Sequence, residues 1–408
     1  MSRIKFGGIT LLLTFMVGLL LAACGGGGGG GTAVTGGGVT TATFTTGQAA
    51  SVVIGQPDFN GTMINQPSGV TAANNITWPW GNPFVSNGTL YLPDSGNNRT
   101  LVYNTIPTTN GAAADFAIGQ AYLASAVWGA SASSVNGPQQ VSIYNGKLAV
   151  TEYGNSRVDI YNTIPTSGPG AIDVVVGQPN KAASGVACTR NGLNLPESSY
   201  MAAGKLVVAD TRNNRVMIWK SIPAMDGAPA DLVLGQTDFI SCAPNGGGAP
   251  NASNFNFPTA IWTDGTRLAV VDGNDSRVLI WNSFPTASNQ PADLVLGQPN
   301  FTNVLANVGG AASAPSASSL NNPWDGVFSN GIQLFVADQG NNRVLIWNSF
   351  PTTIGQPADV VLGQINFASS VAASGVSGFN WPAGVFLYGK QLIVPDSNNN
   401  RYLIFNGQ

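Results

Sequence analysis

The chain has 408 residues, 43% of them apolar and 9% charged, against roughly 25% charged in an average protein; it can bury a sizeable core, and its surface has to be built from Ser, Thr, Asn, Gln and Gly. With 16 basic and 19 acidic residues and a formal net charge of −3, it has no basic stripe to displace the counterions of a nucleic acid, which excludes that class of partner. The absence of His removes the commonest general base and metal ligand, and with it a Ser-His-Asp triad or a His-ligated haem or zinc site.

Residues 1–23 are predicted to be an export signal. Arg3 and Lys5 give a basic start, Ile9 to Leu21 is mostly apolar, and the small residues Ala22 and Ala23 precede Cys24. The apolar stretch is too short and wrongly flanked for a good spanning helix. Its end, LAAC, resembles the bacterial lipobox, which implies cleavage after Ala23, a lipid on Cys24 and contact with a membrane through that anchor alone. Gly25 at the following position resembles outer-membrane sorting, with the leaflet and the face left open. Residues 24–49, rich in Gly and Thr, have almost nothing to bury and are predicted to be a flexible tether. Taking Arg3 and Lys5 from the sixteen basic residues leaves fourteen against nineteen acidic ones, a net charge of −5 for the mature chain.

From residue 50 to 408 one unit repeats. An arginine recurs at Arg99, Arg157, Arg215, Arg277, Arg343 and Arg401, at spacings of 58, 58, 62, 66 and 58, and five positions before each stands an acid: Asp94, Glu152, Asp210, Asp272, Asp338 and Asp396. In the unit containing Arg343, the segment Pro323 to Ser329, the runs Gln333 to Ala337 and Arg343 to Trp347, and a final ADVVLGQ read as four short strands without helical periodicity. Strands this continuously apolar are buried on both faces, as in sheets stacked radially like blades.

The segments LFVADQGNNRVLIWN, LVVADTRNNRVMIWK and LAVVDGNDSRVLIWN resemble the NHL repeat, a strand ending in Ala-Asp, an Asn-rich turn, then Arg and a further strand. The resemblance extends over residues 50–408 and implies an all-β, six-bladed propeller of four-stranded antiparallel blades. The units, near sixty residues, are longer than the usual propeller unit of about 40 to 50 residues, with the surplus between the fourth strand of one unit and the first of the next. A GQ pair ends the fourth strand at Gln56, Gln120, Gln178, Gln236, Gln298 and Gln364, while the last unit stops after its third strand, RYLIFN. The segment ASVVIGQPDF is therefore predicted to supply the missing outer strand of the last blade, joining the chain ends and removing sheet edges.

Each acid ends a second strand and each arginine opens a third, so a four-residue turn sets them side by side. A catalytic pair is needed once and not six times; the recurrence marks a structural ion pair. Function is expected among the positions that do not repeat, on the face that carries the long loops. The loops end in ITWP, VNGP, LNLP, FNFP, LNNP and FNWP, which place Asn136, Asn194, Asn256, Asn321 and Asn380, with Thr77 in the first unit, around the channel mouth. Such amides either bind a polar ligand or bond to nearby backbone and fix the turn, the second being favoured. Trp78, Trp80, Trp324 and Trp381 form an uneven aromatic arc that either stacks on sugar rings or peptide side chains or plugs the channel and packs under loops, the second being favoured. Trp80, Trp324, Trp381, Asn380, Gln139, Glu197 and Asp325 are the candidate ligand-binding residues, Glu197 and Asp325 because the corresponding positions of other units are not acidic.

Some six-bladed relatives are calcium-dependent lactonases, so the resemblance leaves calcium open as a cofactor and a carboxylate or calcium-dependent hydrolase as an alternative, although no cluster of acids like their metal cup is evident. Cys188 and Cys242 lie in the loops entering the third and fourth blades of an exported chain and are predicted to be disulfide-bonded. The leading expectation is a lipid-anchored cell-envelope module that binds or scaffolds an envelope protein or glycan through its loop face, with a structural role in an envelope assembly as a further alternative.

Overall fold

The computed structural model describes residues 40–408. Residues 1–39, with the export signal, Cys24 and most of the predicted tether, lie outside the described residues. Six four-stranded antiparallel sheets are arranged as a ring of blades, numbered 1–6 here in chain order and beginning at Phe84, Pro138, Ser198, Pro258, Val327 and Phe386. Strands follow chain order within blades 1–5, and the first strands are grouped around the central axis. The strands are Val, Leu, Ile and Trp rich because both faces of each sheet are covered: in the third strand of blade 5, Arg343–Trp347, every residue is buried. The indoles of Trp219, Trp281 and Trp347 end such strands in the core, each donating Nε1–H to a carbonyl of the loop that follows, at 3.0, 3.1 and 3.0 Å.

Blade 6 takes its fourth strand from the other end of the chain. Val52–Ile54 pairs antiparallel with Arg401–Asn406 in the register Val52↔Ile404 and Ile54↔Tyr402. The free edge of an outer strand is covered by the loop between third and fourth strands of the following blade: Gly111 N donates to Val53 O at 3.0 Å, Gly227 N to Val175 O at 3.0 Å and Gly355 N to Val295 O at 2.9 Å. Edge carbonyls covered in this way offer no template for another chain.

All six acid–arginine pairs are formed across the ends of the second and third strands, with Nε to carboxylate distances of 2.6 Å for Asp94–Arg99 and Glu152–Arg157, 2.7 Å for Asp210–Arg215 and Asp338–Arg343, and 2.8 Å for Asp272–Arg277 and Asp396–Arg401. Every member is sealed from solvent. Buried charges are tolerated only when their remaining donors and acceptors are satisfied, and blade 5 shows how. Arg343 donates Nη1 to Phe367 O at 2.6 Å and Nη2 to Ser316 O and Ser319 O at 2.9 Å, while Asp338 accepts from Asn321 N and Asn341 Nδ2 at 2.7 Å. One ion pair thus ties the turn, the incoming loop and the outgoing loop together. The turn closes on a left-handed residue, Asn342 at φ 53°, a conformation Asn tolerates through its short polar side chain. Its carbonyl accepts from the GQ side chain, Gln364 Nε2, at 2.8 Å. Closure of the ring repeats this pattern, with Gln56 Nε2 donating to Asn400 O at 2.9 Å and Arg401 to Phe59 O. The glycine before that glutamine has no alternative: a Cβ on Gly363, at φ +85°, would lie 2.1 Å from Phe379 Cδ2.

The body starts before residue 50. Residues 40–49 run beneath blades 5 and 6: Ala42 and Phe44 are buried, Ala42 exchanges two 2.9 Å hydrogen bonds with the Gln333 side chain, and Thr43 pairs with Gln408 through backbone bonds of 3.1 and 3.0 Å. Composition pointed to a tether through residue 49; two buried side chains and a two-sided amide contact hold its final stretch in place. Gln333 belongs to the hairpin between first and second strands, so this segment lies on the face opposite the long loops.

Cys188 and Cys242 form a disulfide joining the loops that enter blades 3 and 4, with Cα atoms 6.4 Å apart and a sequence separation of 54. Closing a loop of that length stabilises the folded state by about 4 kcal/mol in the chain-entropy account. Thermal unfolding with and without reductant measures it: the oxidised protein is expected to melt several degrees higher, and coincident curves would show that the cross-link is idle.

Candidate functional site

The first strand of every blade is entered through a proline, Pro79, Pro138, Pro196, Pro258, Pro323 or Pro382. The residue before it has positive φ throughout: Trp78 44°, Gly137 59°, Leu195 47°, Phe257 70°, Asn322 42° and Trp381 61°. A non-glycine residue held there is strained by roughly 1–3 kcal/mol. The strain is offset by a stitch between blades, since each backbone N–H is held by the side chain at the left-handed turn position of the preceding blade. Trp78 donates to Asn400 Oδ1, Phe257 to Asn214 Oδ1 and Trp381 to Asn342 Oδ1 at 2.9 Å, Gly137 to Asn98 Oδ1 at 3.0 Å, and Leu195 and Asn322 to Ser156 Oγ and Ser276 Oγ at 3.2 Å. Because the stitch uses backbone on one side, the rim side chain is free to vary, and it does: two indoles, a glycine, a leucine, a phenyl ring and an amide.

Trp78 and Trp381 stand on blades 1 and 6, neighbours through ring closure, and are 56% and 44% exposed. Trp80 is half-buried, its backbone N–H donating to Ser95 Oγ at 3.2 Å. Trp324 leaves the arc. A partly buried indole N–H needs an acceptor, and Trp324 Nε1 finds it across the channel, donating to Glu197 Oε2 of blade 3 at 2.8 Å while its ring meets Phe257 edge to face at 5.4 Å. The entry amides serve the turns. Asn380 gives its backbone N–H to Asp396 Oδ1 at 2.6 Å and accepts from Asn398 Nδ2 at 3.2 Å, and Asn136, Asn194, Asn256 and Asn321 donate their backbone N–H groups to Glu152, Asp210, Asp272 and Asp338, all at 2.7 Å.

Below the rim the channel is filled. Side chains here satisfy backbone groups on the inner edges of the blades, which no further strand can pair. Ser198 Oγ accepts from Ile261 N at 2.9 Å and donates to Gln140 Oε1 at 2.6 Å; Asn82 Oδ1 accepts from Val385 N at 2.6 Å and Asn82 Nδ2 donates to Val327 O at 3.3 Å. Beneath them Phe84 and Phe328 pack tilted against Phe386, at 4.8 and 4.4 Å between centroids, and fill the channel below. Gln139 is buried at the entry level, and its Oε1 accepts no hydrogen bond from the protein.

Glu197 and Asp325 face one another from blades 3 and 5, 7% and 1% exposed and near enough for each to shift the ionisation of the other. Neither oxygen of Asp325 accepts from a neighbouring N–H or hydroxyl. Two bare carboxylates buried near one another repel, which favours the protonated form of each. Burial is the largest cause pushing Glu197 up to about 8, against the Trp324 indole, the Asp325 carboxyl and the Arg212 charge, which pull it down. Burial and then the Glu197 charge push Asp325 well above the usual carboxylate range. Calcium takes six to eight oxygen ligands, and among the described residues no group of three or more His, Cys, Asp or Glu side chains is placed to hold a metal ion.

Over the pair lies a side chain that the repeat pattern concealed. Arg212 is exposed, its guanidinium 5.2 Å from the centroid of Phe257, and Nη2 donates to Tyr153 Oη at 3.2 Å. Tyr153 and Arg212 occupy turn positions filled by Ser or Gly in blade 1, and that break in an otherwise small-residue turn was the available signal.

The fold and the mouth define a six-bladed propeller with a side-chain-filled channel and exposed indoles at its rim. No protein-family model matches the chain, and no curated protein matches it. Among solved structures it is similar to an auxiliary nutrient binding protein from Bacteroides thetaiotaomicron, at 10% identity and a TM-score of 0.50 over 87% of this chain and 76% of that one. A second protein from the same organism, described as of unknown function, has 13% identity and a TM-score of 0.46 over 88% and 75%. Virginiamycin B lyase from Staphylococcus aureus has 13% identity and a TM-score of 0.40 over 82% and 97%. At these identities the likeness concerns the fold alone.

Proposed function

We propose that the protein is a binding module that takes a glycan chain across the channel mouth of its loop face. The observation that carries this reading is the pair of exposed indoles, Trp78 and Trp381, on adjacent blades with their backbones stitched in place. A large flat apolar surface fixed in advance loses little entropy on binding and suits the face of a sugar ring. The surrounding loops agree: at their surface this face carries only Asp58, Lys181, Arg190, Arg212 and Asp238 as charged side chains, the rest being Ser, Thr, Asn, Gly and Ala with scattered apolar residues. In the same reading the N-terminal signal ending at Cys24 carries the module to the cell envelope, where its ligand is an envelope or extracellular polysaccharide; the likeness of LAAC to a lipobox supports this. Trp78→Ala and Trp381→Ala are each expected to weaken retention on a glycan array about tenfold or more without lowering the melting temperature, because both rings are exposed. Undiminished retention in both variants, or capture of envelope proteins in place of glycans, would refute the reading.

The meeting of Glu197 and Asp325 favours a second reading, a hydrolase in which this buried pair provides acid and base. Turnover of a glycan or ester that survives chelator and is lost in Glu197→Gln would support it.

A further inference from the structure

We infer that the ligand carries a carboxylate and that Arg212 reads it: the mouth is built for an acidic glycan, one bearing uronic acid residues, whose sugar rings lie on Trp78 and Trp381. This rests on the glycan reading above and specifies its chemistry. The charge map of the loop face singles out one cation. Lys181 is paired with Asp226 at 3.0 Å, and Arg190 gives Nε to Ala230 O at 2.7 Å and lies over Phe239 in the loop entering blade 3. Arg212 projects from the turn of blade 3 over the mouth itself, with the Phe257 ring on one side and the Tyr153 hydroxyl at one Nη. The Phe257 ring and the Tyr153 hydroxyl hold the guanidinium over the mouth and leave most of its N–H groups without a protein acceptor, as recognition of a planar carboxylate requires.

The groups beneath support the same sign. The acid pair below Arg212 is buried, and burial pushes both carboxyls up, so that Glu197 keeps its proton near neutrality and takes little of the arginine charge. Trp324 gives its indole N–H to Glu197 and packs on Phe257, which carries Arg212, so one contact chain runs from the acid pair to the guanidinium. Blade 3 with Arg212 faces blades 6 and 1 with their indoles across the axis, so an extended chain meets the apolar platform at one side of the mouth and the cation at the other.

The test compares oligosaccharides of galacturonate, glucuronate and mannuronate with their carboxyl-reduced counterparts by calorimetric titration against the mature protein and Arg212→Gln, with Trp381→Ala alongside. The wild type is expected to prefer an acidic chain over its reduced form by about tenfold or more, the range of a charge-assisted hydrogen bond, and the preference should shrink as salt is added. Arg212→Gln should abolish the preference and leave the weaker binding of the reduced chain unchanged; Trp381→Ala should weaken both. Equal binding of acidic and reduced chains, or a preference that survives Arg212→Gln, overturns the carboxylate assignment and leaves the glycan reading standing. Failure of every chain to bind the wild type overturns the glycan reading and this one with it. Arg212 is exposed, so an unchanged melting temperature in Arg212→Gln separates lost recognition from lost fold.

Discussion

Arg343→Ala is expected to lower the stability of the whole ring by about 3–5 kcal/mol, the range seen when one partner of a buried ion pair is removed. The loss exceeds a single contact because Asp338 stays buried while three carbonyls, those of Phe367, Ser316 and Ser319, lose their donor together. Chemical denaturation followed by tryptophan fluorescence measures the change. Removing both charges in Arg343→Met with Asp338→Leu should cost less than the single change if stranded charge dominates, though the orphaned carbonyls prevent full recovery. A wild-type midpoint in Arg343→Ala would mean that the pair contributes nothing to holding the turn.

The second large effect depends on pH. Glu197 titrates near 8 in the folded state against an ordinary value of 4.5. The folded protein therefore holds a proton between these values that the unfolded chain has released, and stability falls as pH rises through that window. A shift of this size amounts to several kcal/mol at its upper end. Glu197→Gln removes the titration and can still accept the Trp324 N–H, so it is expected to match the wild type near pH 4 and exceed it in stability by several kcal/mol at pH 8. Denaturant titrations of both proteins at pH 4, 6 and 8 give the difference directly. A constant gap across that range would show that Glu197 ionises as freely in the folded state as in the unfolded chain.

The fold was legible because the repeat over-determines it. Six GQ pairs with five complete units left one outer strand unassigned, and Val52–Ile54 occupies it in blade 6. The stagger of Asp338 and Arg343 was equally readable, since a turn of fixed length places them opposite one another. Less could be read of the mouth. Glu197 and Asp325 stood out as acids where other units have none, yet nothing in the linear order says that blades 3 and 5 touch; only a channel narrow enough for side chains to cross it brings them together. Trp324 was grouped with the other indoles by position in the repeat, and its turn toward Glu197 follows from the acceptor that its N–H requires. Arg212 and Tyr153 were hidden inside the segment that the repeat marks as structural. The last part of the predicted tether was misleading for another reason: composition registers the Gly and Thr around Ala42 and Phe44 but not the groove that receives those two side chains.

The chain enters the propeller on the hairpin side, where Thr43 clasps Gln408 and Gln333 grips Ala42, and the mouth opens on the other. This gives the disc two sides with separate duties: in the glycan reading proposed above, a polymer at the mouth approaches from the side opposite the N-terminal segment, so the two never contend for the same surface.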